Sequence, residues 1–390
     1  MNYILFDGPS RNKLLPFTFT RPVAEIRTGI LTIKEKWEKL LDEKVTIKTQ
    51  DYLSIKFPTV ASNDNIYING SILPTIELID QINELQDSQI LKNGEIEIAF
   101  RSSVSELNKI KKTDFTSIES TANHTKLENT WDIFRINPQA IADDFQLLTK
   151  NRKSLPIPNT NFIIGDSNKI FIEEGAIVEF AYLNTTDGPI YIGKDSEIME
   201  GSKIRGPFAL CNNATIKMDA KIYSGTTIGP YCKAGGEISN SVLLGYSNKG
   251  HDGFLGNSVI GEWCNLGADT NTSNLKNTYD FVRLWSYNAN TFVTTGLQFC
   301  GLMMGDHSKC GINTMFNTGT VVGVSSNIYG SGFQRNFIPS FLWGGTSGLK
   351  PYNFKKSVDV AKAVYKRRNI EFNGIEEDIF NHIFNLSHEK

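Results

Sequence analysis

Two imidazoles are the residues of this chain whose type and setting could do chemistry. His251 stands in Ser247-Asn248-Lys249-Gly250-His251-Asp252-Gly253-Phe254-Leu255-Gly256-Asn257, and His307 in Gly305-Asp306-His307-Ser308-Lys309, with Asn313 and Asn317 following. An imidazole with an ordinary pKa of about 6.5 accepts a proton at neutral pH, so either is a candidate general base. Other chemistries fit less well. No Gly-x-Ser-x-Gly turn accompanies Ser308, which argues against a serine hydrolase, and Gly-Asp-His with no second histidine nearby is a poor zinc pattern.

The elements that hold these residues are set by a repeat. Ile192, Ile198, Ile204, Leu210, Ile216, Ile222 and Ile228 recur every sixth residue, with small residues at Ser196, Ser202, Ala214, Ala220 and Thr226. A helix of 3.6 residues per turn would carry such positions around its surface, and a half-buried strand would alternate every second residue. The period fits a parallel β-helix of hexapeptide units, each sending one aliphatic side chain inward before a corner. The pattern returns in shifted phase at Phe254, Ile260 and Leu266, and again at Met304, Cys310, Phe316, Val322 and Ile328. Between these runs, from Ile228 to Phe254 and from Leu266 to Met304, the chain is expected to leave the wall as loops or irregular corners, where function usually sits on a rigid coil.

Length and composition narrow the class. With 390 residues, two or three domains are expected. Forty basic against 42 acidic side chains, a formal charge of -2, offer no polyanion-binding surface, so nucleic acid is excluded as a partner. No stretch approaches about 18 uninterrupted apolar residues, and a soluble, cytoplasmic chain is expected, with no membrane partner. The five cysteines, 211, 232, 264, 300 and 310, lack C-x-x-C spacing and read as buried free thiols.

Ahead of the repeats, residues 2–6 read as a buried strand, 7–11 as the turn after it, and Ile30 to Leu41 as a helix with Trp37, Leu40 and Leu41 on one face. Apolar runs at 66–68 and 96–100 extend this to an α/β unit over a mostly parallel sheet. The prolines of Asn151-Arg152-Lys153-Ser154-Leu155-Pro156-Ile157-Pro158 mark a boundary. The division is therefore residues 1–152, 153–350 and 351–390, the last two helices capping the β-helix.

The run Arg11-Asn12-Lys13-Leu14-Leu15-Pro16-Phe17-Thr18-Phe19-Thr20-Arg21-Pro22 resembles the opening of sugar-1-phosphate nucleotidylyltransferases, and Ile68-Asn69-Gly70-Ser71-Ile72-Leu73 resembles a later strand end of that family. The resemblance implies phosphate contacts from Gly8, Arg11, Lys13 and Arg21, with Arg27 beside them, and magnesium on Asp7 or Glu25 if the domain is active. Backbone N–H groups and arginines suit a triphosphate at a strand-to-helix turn. Val23 replaces the lysine usual after Arg-Pro, and Ser71 the aspartate expected to hold the metal.

The stretch 250–277, Gly-His-Asp-Gly-Phe-Leu-Gly through Asn274-Leu275-Lys276-Asn277, resembles the acetyltransferase half of the bifunctional family that is N-acetylglucosamine-1-phosphate uridylyltransferase and glucosamine-1-phosphate N-acetyltransferase. The order of domains extends that resemblance over the whole chain. It implies His251 as general base, Asn274 orienting the substrates, acetyl-CoA as donor, a left-handed coil and a homotrimer with sites between neighbours. Lys233, Lys249 and Lys276 are candidates for the sugar-phosphate or coenzyme phosphates, and Arg335 for a cofactor phosphate. His307 is the second candidate base. Leu275 stands where the family has tyrosine. Moving an acetyl group to a sugar amine requires the ammonium to lose a proton, which suits a histidine, and amide donors suit the charge that develops on the thioester oxygen.

The resulting expectation is an amino-sugar-1-phosphate N-acetyltransferase acting on small sugar phosphates and nucleotides. Two alternatives stand beside it: a nucleotidyltransferase whose β-helix serves only assembly, and a non-catalytic scaffold.

Overall fold

The computed structural model describes residues 1–104 and 109–388. It divides into two compact units, one of residues 1–14, 20–26 and 31–129, the other of residues 15–19, 27–30 and the chain from 130 onward.

The first unit is a six-stranded sheet in the order Val45–Lys48, Asn2–Phe6, Asn65–Asn69, Ile96–Ser102, Gln89–Asn93, Thr116–Glu119. The first three strands are parallel; Ile96–Ser102 then runs antiparallel to both its neighbours. The sheet is therefore mixed, its antiparallel half arising because Gln89–Asn93 and Ile96–Ser102 join through a tight turn with no room for a crossover. The expected helix begins later than Ile30, at Ile33, because Thr32 caps it: Thr32 Oγ1 accepts from Glu35 N at 3.1 Å and Glu35 Oε2 from Thr32 N at 2.7 Å. Its Trp37 is fully buried and donates Nε1 to the carbonyl of Ile72 at 2.9 Å, which anchors the helix on the sheet.

The second unit is a left-handed parallel β-helix with a helical cap. Its three largest sheets hold nine, ten and six strands among the described residues. Ile192, Leu210 and Ile228 stack inward in the first, Ile198, Ile216 and Ala234 in the second, Ile204, Ile222 and Ile238 in the third, all in one buried core. Six residues are thus one side of a coil, and Ile190 pairs with Phe208, then Phe208 with Thr226. The helix Asn137–Thr149 also packs in this unit, burying Ile141 and Phe145 beside Phe171, Tyr191, Ala209 and Cys211.

The two interruptions differ. From Ile228 to Phe254 the chain stays on the wall with a shortened coil, so that Thr227 pairs with Val242 and Lys233 with Asn248. The second does leave: after Asn271–Thr272 the chain makes an antiparallel hairpin of Arg283–Ser286 and Thr291–Thr294 before returning at Leu302–Met304. The helices Phe354–Lys366 and Gly374–His388 form the cap by docking on an aromatic corner of the coil. Tyr365 stacks on Trp263 at 4.0 Å between ring centres, and Phe380 lies edge-on to His307 at 4.7 Å and to Phe341 at 5.7 Å. The hairpin of Leu342–Gly345 with Gly348–Pro351 covers the last strand edge of the second sheet. All five cysteines are free and buried, and among the described residues no helix is long and apolar enough to cross a membrane.

Candidate functional site

His251 opens the turn that leads into the strand Phe254–Gly256, and it is exposed. The turn closes on Gly253, whose φ of +108° favours glycine and whose missing Cβ leaves room for the carbonyl of Thr270 on the next coil. That next coil also accepts the strand's first N–H, from Phe254 to Asn271 Oδ1 at 2.9 Å. The imidazole therefore stands on a turn whose two ends are tied to the wall.

Asn274 lies on the same next coil, at the far end of this strand. Its Nδ2 donates to Asn257 Oδ1 at 2.8 Å, directly over Gly256, where a Cβ would come within 2.6 Å of the amide nitrogen. An amide nitrogen carries two hydrogens, and one of them is fixed by Asn257. His251 and Asn274 are thus set at opposite ends of the strand, roughly 10–20 Å apart by strand geometry.

The other expected residues of this unit separate into distinct places. Lys233 is exposed, and partial burial with Arg368, Lys217 and Arg367 nearby holds its ammonium below the ordinary lysine range. These cations, with Arg368 donating to the carbonyl of Tyr231 at 2.9 Å, have the charge that suits a phosphate. Lys276 donates Nζ to the carbonyl of Phe281 at 3.0 Å and lines a cleft of about 240 Å³ with Arg283, Phe292, Thr318 and Asn336; Arg335 is exposed beside the last of these. Two expectations meet a physical obstacle. Lys249 is fully buried with its ammonium donating to backbone carbonyls, so a phosphate cannot reach it; burial also lowers its pKa to about 8. His307 is 6% exposed, enclosed by Trp263, Tyr365, Phe372 and Phe380, so it belongs to the seat of the cap.

In the first unit a cleft of about 690 Å³ opens at the carboxyl ends of the three parallel strands, the usual ligand position of such sheets. Asp7, Gly8, Lys48, Asn69, Glu97, Lys112 and Lys126 are among its lining. Asp7 does not fit magnesium: Oδ1 accepts from Val23 N at 2.8 Å, Oδ2 from Thr49 Oγ1 at 2.6 Å, and Arg11 Nε lies 3.5 Å from Oδ2. Burial raises its pKa against these partners. Ser71 is buried with Oγ on Asn69 Oδ1 at 2.7 Å, and among the described residues no group of three His, Cys, Asp or Glu side chains could hold a metal. Arg11 is drawn to Tyr52, whose hydroxyl accepts at 2.8 Å; Lys13 pairs with Glu128; Arg21 is buried. Only Gly8 and Asp7 of the expected set line the cleft, whereas Lys48, Lys112 and Lys126 do so without a local motif to reveal them.

Residues 3–153 match the profile of the sugar nucleotidyl transferase family. The bifunctional protein GlmU of Methanocaldococcus jannaschii is 26% identical over 43% of this chain and 33% of its own length. The chain thus spans about a third of that protein. An uncharacterized acetyltransferase, YaiX, of Escherichia coli O6:K15:H31 is 25% identical over 54% of this chain and 84% of its own. The solved polySia-specific acetyltransferase NeuO is 13% identical, with a TM-score of 0.26 over 50% of this chain and 88% of its own.

Proposed function

We propose, for a chain whose first domain matches the profile of the sugar nucleotidyl transferase family, that the β-helix moves an acetyl group from acetyl-CoA to the amine of an amino-sugar 1-phosphate. The observation that carries this reading is the exposed His251 on a turn tied at both ends, with an oriented Asn274 amide one strand away.

In the reaction, His251 takes one proton from the acceptor's ammonium, and the freed lone pair attacks the thioester carbon. The carbonyl electrons move to oxygen, where the second N–H of an Asn274 amide stabilises the charge. Collapse of the adduct breaks the C–S bond, and the leaving thiolate takes the second proton lost by nitrogen. The products are an amide, free coenzyme thiol and one proton returned to water through His251.

We place the site between subunits of a homotrimer, the assembly that the resemblance to the bifunctional acetyltransferase family implies, with His251 and Asn274 among its residues. The cation cluster of Lys233, Lys217, Arg367 and Arg368 serves the phosphate of acceptor or donor. For the first domain we propose retained nucleotide binding in the lysine-lined cleft with no magnesium-dependent transfer, since Asp7 and Ser71 are engaged by other protein groups. The protein is read as acting on soluble small molecules in the cytoplasm.

The test is thiol release from acetyl-CoA on adding glucosamine 1-phosphate. Acceptor-dependent release supports the reading. None above background, with other amino-sugar phosphates also silent, overturns it.

A further inference from the structure

Lys249 occupies a place that the β-helix gives to apolar side chains. In its sheet the inward positions on successive coils are Ile198, Ile216, Ala234, Lys249 and Leu266, and all five are buried. Lys249 is 0% exposed. Its ammonium donates to the carbonyls of Gly235 at 3.1 Å, Asp252 at 3.0 Å and His251.

An ammonium has three N–H groups, and here three backbone carbonyls use them. In the turn Gly250–Gly253 the carbonyl of Asp252 also accepts from Asp269 N at 3.1 Å and that of Gly253 from Glu237 N at 3.2 Å, and buried carbonyls need donors. A purely structural filling of this position would be aliphatic, as in the coils on either side. What the lysine adds is a set of hydrogen bonds to the residue that carries the exposed imidazole and to the one after it.

We infer that Lys249 is a positioning residue: from inside the coil its ammonium clamps the backbone of His251 and Asp252, so that the imidazole outside is held in one place relative to the acceptor amine. This rests on the acetyl-transfer reading for its catalytic consequence, though the clamp is a feature of the turn alone.

The experiment compares intact protein with Lys249→Met, which keeps an unbranched side chain and removes the donors. The expected result is a melting temperature within a few degrees of wild type, kcat for acetyl transfer lower by at least about tenfold, and KM for acetyl-CoA within about threefold, since misplacement of a reacting group acts on the chemical step. Lys249→Arg, which keeps N–H donors, is expected to recover part of the lost kcat. Amide hydrogen exchange in peptides covering residues 248–254 is expected to quicken by about tenfold in the Met variant. Wild-type kcat in Lys249→Met, or unchanged exchange, overturns the inference. A Met variant that does not fold also overturns it, by making the ammonium a requirement of the fold, with Lys249→Leu as the second apolar check. If wild-type protein itself shows no acetyl transfer, the function is wrong while exchange still decides the clamp.

Discussion

The side-chain amide of Asn274 reaches Asn257 at 2.8 Å across a space that exists because residue 256 has no side chain. Two coils of the β-helix are joined at that point by a polar pair, and the pair fixes the orientation of the Asn274 amide.

Gly256→Ala tests this directly. The added Cβ would meet Asn274 Nδ2 and the Phe254 ring, each at 2.6 Å. Displacing one oriented donor is expected to lower kcat by at least about tenfold while the protein stays folded. Unchanged kcat would show that the Asn274 amide is not used.

His307→Ala is expected to loosen the cap and leave the chemistry intact. It removes ring contacts with Trp263, Tyr365, Phe372 and Phe380, and a loss of about 1–3 kcal/mol in stability follows from their typical size. Thermal unfolding and kcat per folded molecule check the two halves. A large fall in kcat at unchanged stability would return His307 to candidacy as the base.

Glu128 gives the first unit a pH dependence. Burial pushes its carboxyl up, but hydrogen bonds and charge from Lys126 and Lys13 outweigh this and lower its pKa to about 2 from an ordinary 4.5. A depressed folded pKa contributes stability that is present above about 4.5 and is lost as pH falls toward 2. Glu128→Gln is therefore expected to be less stable than wild type at neutral pH, with the difference shrinking below pH 4.5. A constant difference across that window, by thermal unfolding, would contradict the pairing.

Magnesium is expected to make no difference to nucleotide binding by the first domain. Both oxygens of Asp7 already accept protein hydrogen bonds, and Ser71 is buried on Asn69. Titration of UTP in chelator and in millimolar magnesium checks this. Affinity that appears only with the metal would contradict it.

The wall of the β-helix was legible because one inward aliphatic residue every six positions has no other economical packing, and Ile192, Leu210 and Ile228 do stack as that period requires. The interior Lys249 was not legible for a related reason. The period breaks after Ile228, and the coil of 15 residues that pairs Lys233 with Asn248 puts Lys249 on Ala234's inward column. A lysine read as a loop charge is then a core residue. The burial of His307 rests on contacts that no local pattern contains, since Tyr365, Phe372 and Phe380 come from the distant cap. Arg367 and Arg368 were missed beside Lys233 on the same ground. In the first unit, Asp7 and Arg11 were visible as candidates, but their engagement by Thr49, Val23 and Tyr52 depends on strands and helices that meet only in the fold.

The central claim is that His251 is the base for acetyl transfer. The most direct measurement is coenzyme thiol release from acetyl-CoA with glucosamine 1-phosphate, comparing wild type with His251→Ala at equal folded concentration. Loss of a general base predicts a fall of at least about a hundredfold with the fold unchanged. Release that survives the substitution would contradict the account and assign the proton transfer to another residue.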